Sequence, residues 1–227
     1  MSTLIASRGA HTAPTTRLVA CGILAGPLFI AGWAIQAFTR EGFDPGRHPL
    51  SLLSLGDLGW IQIAIFVVTG ALYLACAVGL WRVLRPGPGG TWGPLLVGGH
   101  GIGLMVSGVF LADAGAGFPP GAPAGAPERV SWHGIVHELG FVVATLSWTV
   151  ACFVFARRFA ALGLRGWAAA CVATPVAVIA LLSWPDLDSL SVRLVIASAV
   201  SAGFLAVLAA RLGRDRPDPA ADPPARP

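Results

Sequence analysis

The chain has 227 residues, of which 55% are hydrophobic and only 11% charged, with a net charge of +4 and a mean hydropathy of +0.73. A soluble domain carries about 25% charged residues to meet water, so a water-soluble fold is excluded. The apolar residues also come in long runs rather than in amphipathic or alternating patterns, which makes lipid the solvent for most of the chain.

Taken in order, residues 1–16 form a polar tail with no apolar period, expected to be disordered. Six apolar runs follow, at 18–38, 58–83, 92–112, 132–155, 167–184 and 192–210. Each approaches the roughly 20 residues a hydrocarbon core requires, the fifth being the shortest. The first is too long for the apolar stretch of a signal peptide and lacks a small-residue cleavage site after it, so it reads as a true span. The last stretch, RDRPDPAADPPARP, is Pro- and Ala-rich and again reads as disordered, closing the chain over residues 212–227. The expected fold is all-α: one polytopic six-helix bundle over residues 17–211.

Orientation follows from the basic residues, all of them Arg. The two tails and the second and fourth loops hold eleven of the fifteen, so both termini are expected on the cytoplasmic side of a cell membrane. The same bias accounts for the net charge and leaves nothing to suggest nucleic-acid binding. Cys21, Cys76, Cys152 and Cys171 lack the paired spacing of a metal or redox motif and read as small packing residues.

Within the spans, Gly22 with Gly26 and Gly99 with Gly103 have the small-xxx-small spacing that lets helix backbones meet in lipid. The loops between spans are unequal. Residues 39–57 contain FDPGRHPLSLLSLGDLGW, in which Pro49 is placed to open a short interfacial helix with Leu50, Leu52 and Leu53 toward lipid. Asp57 is placed to cap the second span. Residues 113–131 are DAGAGFPPGAPAGAPERVS, which reads as a flexible or polyproline-like flap.

The ionisable chemistry gathers at this outer end. Outside the carboxyl tail the acidic residues are Glu41, Asp44, Asp57, Asp113, Glu128, Glu138, Asp186 and Asp188, all in outer loops or at outer helix ends, and His48, His133 and His137 join them. His133 and His137 stand four apart in VSWHGIVHELG, about 40° apart on one helix face that continues as Gly140, Ala144, Ser147 and Ala151. Such a pair can supply two ligands to Zn²⁺. Asp113 or His48 would be the third, and Glu138 suits a neighbouring helix. The same residues also fit interhelical hydrogen bonding, or a proton-titrating cluster without metal. His100, among glycines in the third span, reads as a packing or hydrogen-bonding residue. Ser51 is a nucleophile only if a base approaches it.

The segment from Phe43 to Gly70, FDPGRHPLSLLSLGDLGWIQIAIFVVTG, resembles the signature region of a bacterial and archaeal membrane family catalogued as domain of unknown function 998. Its HP-x-S pattern is matched by His48, Pro49 and Ser51, its G-W-x-Q by Gly59, Trp60 and Gln62, with Phe66 and Gly70 following. Its later Asp and HG-x-x-H are similar to Asp113 and to His133, Gly134 and His137. The resemblance implies about six spans over residues 21–211 and no established activity.

A looser chemical likeness links Ser51, Asp113, His48, His133 and His137 to the Ser, Asp and three His of the ceramidase and adiponectin-receptor type of membrane hydrolase, whose zinc lies within the membrane. The span count, the place of HxxxH and the order of Ser and His all differ. Three functions therefore stand open: a zinc-dependent hydrolase of lipid amides or esters with Asp113, Ser51 or Glu138 in catalysis and His133, His137 and His48 on the metal; a lipid or small-molecule transporter or binding protein; and a partner subunit without pocket chemistry.

Overall fold

The computed structural model describes residues 2–214 except Glu128 and Leu187, with side chains from Pro14 onward. It is all-helical: α1 (Ser2–Thr39), α2 (Gly59–Leu84), α3 (Trp92–Val109), α4 (Trp132–Ala161), α5 (Arg165–Leu182) and α6 (Leu190–Leu212). Helix α1 starts at Ser2, so helix extends into the segment expected as an amino tail. Residues 215–227 of the expected carboxyl tail lie outside the described residues.

Among the described residues five helices are long and apolar enough to cross a membrane: Pro14–Thr39 of α1, together with α2, α4, α5 and α6. Helix α3 is the exception, because its 18 residues, WGPLLVGGHGIGLMVSGV, are rich in glycine and include His100. Each helix packs on the next, and α6 returns to α1, so the six close into a ring.

Glycine decides how closely the ring closes on one side. A Cβ on Gly103 would stand 2.5 Å from Ala144 N and 2.6 Å from Gly140 O, so α3 and α4 touch backbone to backbone. On the other flank of α3, a Cβ on Gly101 would stand 2.6 Å from Gly70 O, and one on Gly70 2.5 Å from Gly101 O. Gly26 meets Ala202 of α6 in the same way, and Gly22 meets Cys76 of α2. Where lipid gives helices no hydrophobic reason to associate, such close approach lets dispersion do so. Helix α5 contrasts with these: of its 18 residues only Cys171, Pro175 and Val178 are buried.

The two long loops lie together at one end of the ring, here the long-loop end, and they build a roof. The turn Leu50–Ser54 is a short 3₁₀ helix, as expected after Pro49, but Leu52 and Leu53 point inward, 5% and 0% exposed, against Trp33, Phe43 and Phe118. The loop folds back over the bundle instead of lying along lipid, and burying those side chains is worth about 2 kcal/mol each. Asp57 provides no side-chain cap to α2, whose N-cap is Leu58. Gly59 instead lets the chain turn tightly against the Ser54 carbonyl.

The Gly/Pro/Ala segment is not a loose flap. Ala116 N donates to Gly125 O (2.7 Å), Gly117 N donates to Pro123 O (2.8 Å), and Phe118 is 2% exposed. Arg47 fastens the segment by donating to Ala124 O at 2.8 Å, and Ser191 Oγ of α6 donates to Arg47 O at 2.6 Å. Composition alone suggested mobility; a single buried aromatic, with Arg47 and His48 of the other loop bonded to the segment's carbonyls, overrides it.

Candidate functional site

His48 sits in the middle of this roof, 5% exposed, with its ring edge-on to Phe43 and tilted against Phe118. Its Nδ1 accepts from Asp44 N at 2.9 Å, which leaves the hydrogen on Nε2 to donate to Ala116 O at 3.1 Å. Both ring nitrogens are thereby spent, and His48 holds the two loops together.

Asp113 follows the end of α3 and reaches the start of α4. Its Oδ2 accepts from Ser131 N at 2.9 Å and lies directly over Gly134, where a Cβ would collide with it. Hydrogen bonds from Ser131, side chain and backbone, hold its carboxyl below the usual carboxylate range, with smaller help from the nearby His133 and His137. Ser131 is the N-cap of α4, its Oγ accepting from Gly134 N at 3.0 Å. The carboxylate and the cap thus tie the start of α4 to the end of α3.

The two histidines of α4 part company. His133 is exposed, its ring 4.7 Å from that of Trp132 and its Nδ1 2.9 Å from Ser131 Oγ. One turn deeper His137 is 4% exposed, and its Nδ1 lies 2.8 Å from Ser107 O and 3.0 Å from Phe110 O. Two carbonyls at one nitrogen put the hydrogen there and leave Nε2 with its lone pair. Ser107 Oγ completes the seam by donating to His137 O at 2.9 Å. The residues expected as zinc ligands are therefore not gathered around one point, and among the described residues no group of three or more His, Cys, Asp or Glu could hold a metal ion.

What the six helices do line is a partly open cavity of about 460 Å³. At the long-loop end its wall includes Pro49, Ser51, His137, Glu138 and Leu190. The middle is apolar, with Phe29, Phe66, Leu104, Val178 and Leu194. Farther in lie Thr69, Tyr73, His100 and Trp148, the last about 15 Å beyond Glu138 along α4 at 1.5 Å per residue. Of the residues anticipated from the sequence, Ser51, His137 and Glu138 share this wall, while Asp113, His48 and His133 do not border it.

The inner end holds polar groups that the sequence reading passed over. Thr69, Tyr73 and Trp148 are 1%, 1% and 2% exposed, and among the described residues Thr69 Oγ1, Tyr73 OH and Trp148 Nε1 have no hydrogen-bond partner. His100 donates from Nδ1 to Ala144 O at 2.9 Å, its ring 4.9 Å from that of Tyr73. A signal was available, since Tyr73 is the one tyrosine of the chain and stands in the middle of an apolar run. Also missed was a buried amide pair on the α1–α2 side, where Gln36 Nε2 donates to Gln62 Oε1 at 2.7 Å. Arg40 extends it, donating to Gln36 Oε1 at 3.4 Å and to Leu53 O and Leu55 O of the roof at 2.9 and 3.0 Å.

The family pattern now has a structural meaning: His48 fastens the roof, Gly59 admits the turn into α2, Gln62 joins α2 to α1, Gly70 meets α3, and Gly134 receives Asp113. The family model described as "Protein of unknown function (DUF998)" matches residues 23–212. The chain belongs to this family. No curated protein and no solved structure matches it. Its long apolar helices make this DUF998 protein a multi-pass membrane protein.

Proposed function

We propose that this DUF998 protein binds an amphipathic small molecule or lipid inside the membrane, in the cavity at the centre of its six-helix ring. The observation that carries the reading is the cavity itself: about 460 Å³ falls within the roughly 300–1,000 Å³ of small-molecule sites. Its apolar middle between two polar ends suits a molecule with both characters. The Arg-rich side of the chain argues that the long-loop end faces away from the cytoplasm of a bacterial cell. The ligand would then enter from the outer leaflet or the outer medium.

The test is saturable binding of the fluorophore 1-aminoanthracene to protein in lipid nanodiscs. Ser201 borders the cavity from α6, and Ser201→Phe places a ring in the space. Wild type should give a saturable fluorescence rise, and the filled variant should weaken it by about tenfold or more with its thermal unfolding unchanged. Linear, unsaturable uptake that is equal in both proteins would end the reading.

Hydrolysis of a lipid amide or ester is the second reading, favoured by Ser51, His137 and Glu138 sharing one wall and by the free lone pair on His137 Nε2. There His137 serves as general base toward a water or Ser51, and Glu138 handles protons. A zinc-assisted form needs His133 and a third ligand drawn to His137. Turnover of 4-nitrophenyl hexadecanoate, with and without added zinc chloride, should fall at least a hundredfold in His137→Ala. Equal rates in the two proteins would remove it.

A further inference from the structure

The inner end of the cavity has a hydrogen-bonding character that specifies its occupant more narrowly. Among the described residues Glu138, at the long-loop end, is the one acidic side chain on the wall, and no Arg borders the cavity. A charged group carried inward would leave water without a counter-ion, which costs far more than burying a neutral one. The occupant's inner end is therefore uncharged.

That end meets both donors and acceptors. Trp148 Nε1 can only donate, and it has no partner among the described residues. Tyr73 OH and Thr69 Oγ1 can do either, and they have none. His100 spends its Nδ1 hydrogen on Ala144 O, so Nε2 of this ring can only accept. A buried polar group without a partner is unfavourable, and an apolar guest would relieve none of these three.

We propose that the cavity takes an uncharged, single-chain lipid alcohol, with its hydroxyl at the inner end among Tyr73, His100 and Trp148 and its hydrocarbon along the apolar middle. A hydroxyl is the smallest neutral group that donates to the His100 lone pair while accepting from Trp148 or Tyr73. Phe29, Phe66, Leu104 and Val178 line the length the chain would occupy. This inference rests on the binding reading above and adds the headgroup to it.

The test uses displacement of bound 1-aminoanthracene from nanodisc-embedded protein by 1-hexadecanol, hexadecane, hexadecanoate and hexadecyltrimethylammonium. Hexadecanol should displace it at about tenfold lower concentration than the other three. Tyr73→Phe and Trp148→Phe, which remove a hydroxyl and an indole N–H from the wall, should each weaken hexadecanol about fivefold. Hexadecane displacement, unchanged in both variants, shows that they are folded. Equal displacement by hexadecanol and hexadecane, or variants that weaken both alike, overturns the alcohol assignment while leaving the cavity a binding site. Preference for either charged compound also overturns it. If the fluorophore never binds saturably, the binding reading falls and this inference falls with it.

Discussion

The carboxylate of Asp113 occupies the space that a side chain on Gly134 would fill, and from there its Oδ2 takes the Ser131 backbone N–H at 2.9 Å. One loop residue after α3 thus sets where α4 begins. Gly134→Ala should expel the carboxylate and loosen that join, at about 1–3 kcal/mol, the usual cost of forcing atoms into a filled space. Thermal unfolding in detergent measures it. A melting temperature equal to wild type would show that the carboxylate has room to move.

Acid should weaken the same join. The Ser131 hydrogen bonds hold the folded carboxyl of Asp113 below its ordinary range, so its contribution is fully present above the unfolded value of about 3.9. It is lost as pH falls through the lower, folded value. Melting temperature followed from pH 6 down to pH 3 should therefore fall more steeply for wild type than for Asp113→Asn, which has no carboxyl to protonate. Parallel curves would refute this.

The roof depends on one imidazole. His48→Leu leaves Asp44 N and Ala116 O without their partner, at about 1–3 kcal/mol of local stability. Backbone hydrogen exchange across residues 114–126 should accelerate about tenfold or more, since about 1.4 kcal/mol is a factor of ten. Exchange in the middle of α4 should stay unchanged. Uniform acceleration through the whole chain would mean general destabilisation instead.

A double substitution should do less harm than a single one at the α1–α2 amide pair. Gln36→Leu strands the fully buried Gln62 with neither a donor for Oε1 nor a partner for Nε2, costing about 1–3 kcal/mol. Adding Gln62→Leu removes the stranded amide and should recover part of the loss. Detergent unfolding of the two singles and the double supplies the cycle, and strictly additive losses would show that the pair is not coupled.

Much of the bundle could be read from hydropathy because each span is set by its own residues: a run of apolar side chains in lipid has no alternative to helix. The inward face of α4 was legible too, since Gly140, Ala144 and Ala151 recur at helical spacing and are buried. The roof was not, because Leu52 and Leu53 point inward against Trp33 of α1 and against Phe118, some 65 residues away in a segment whose composition suggests looseness. His133 and His137 misled for a related reason. A shared face directs two rings similarly, but His133 stays by its own N-cap at the helix mouth while His137 finds the carbonyls of α3. The cavity could not be seen in any single span, for it exists only where side chains of all six helices come together.

The glycine contacts on both flanks of α3 have a mechanical corollary. With main chains already touching at Gly70–Gly101 and Gly103–Gly140, the α2–α3–α4 side is a stiff slab that cannot slide or thicken without collision. Helix α5, anchored by three buried side chains, forms the compliant side of the ring. Guests of differing girth would be accommodated by an outward lean of α5, while the hydrogen-bonding side stays still.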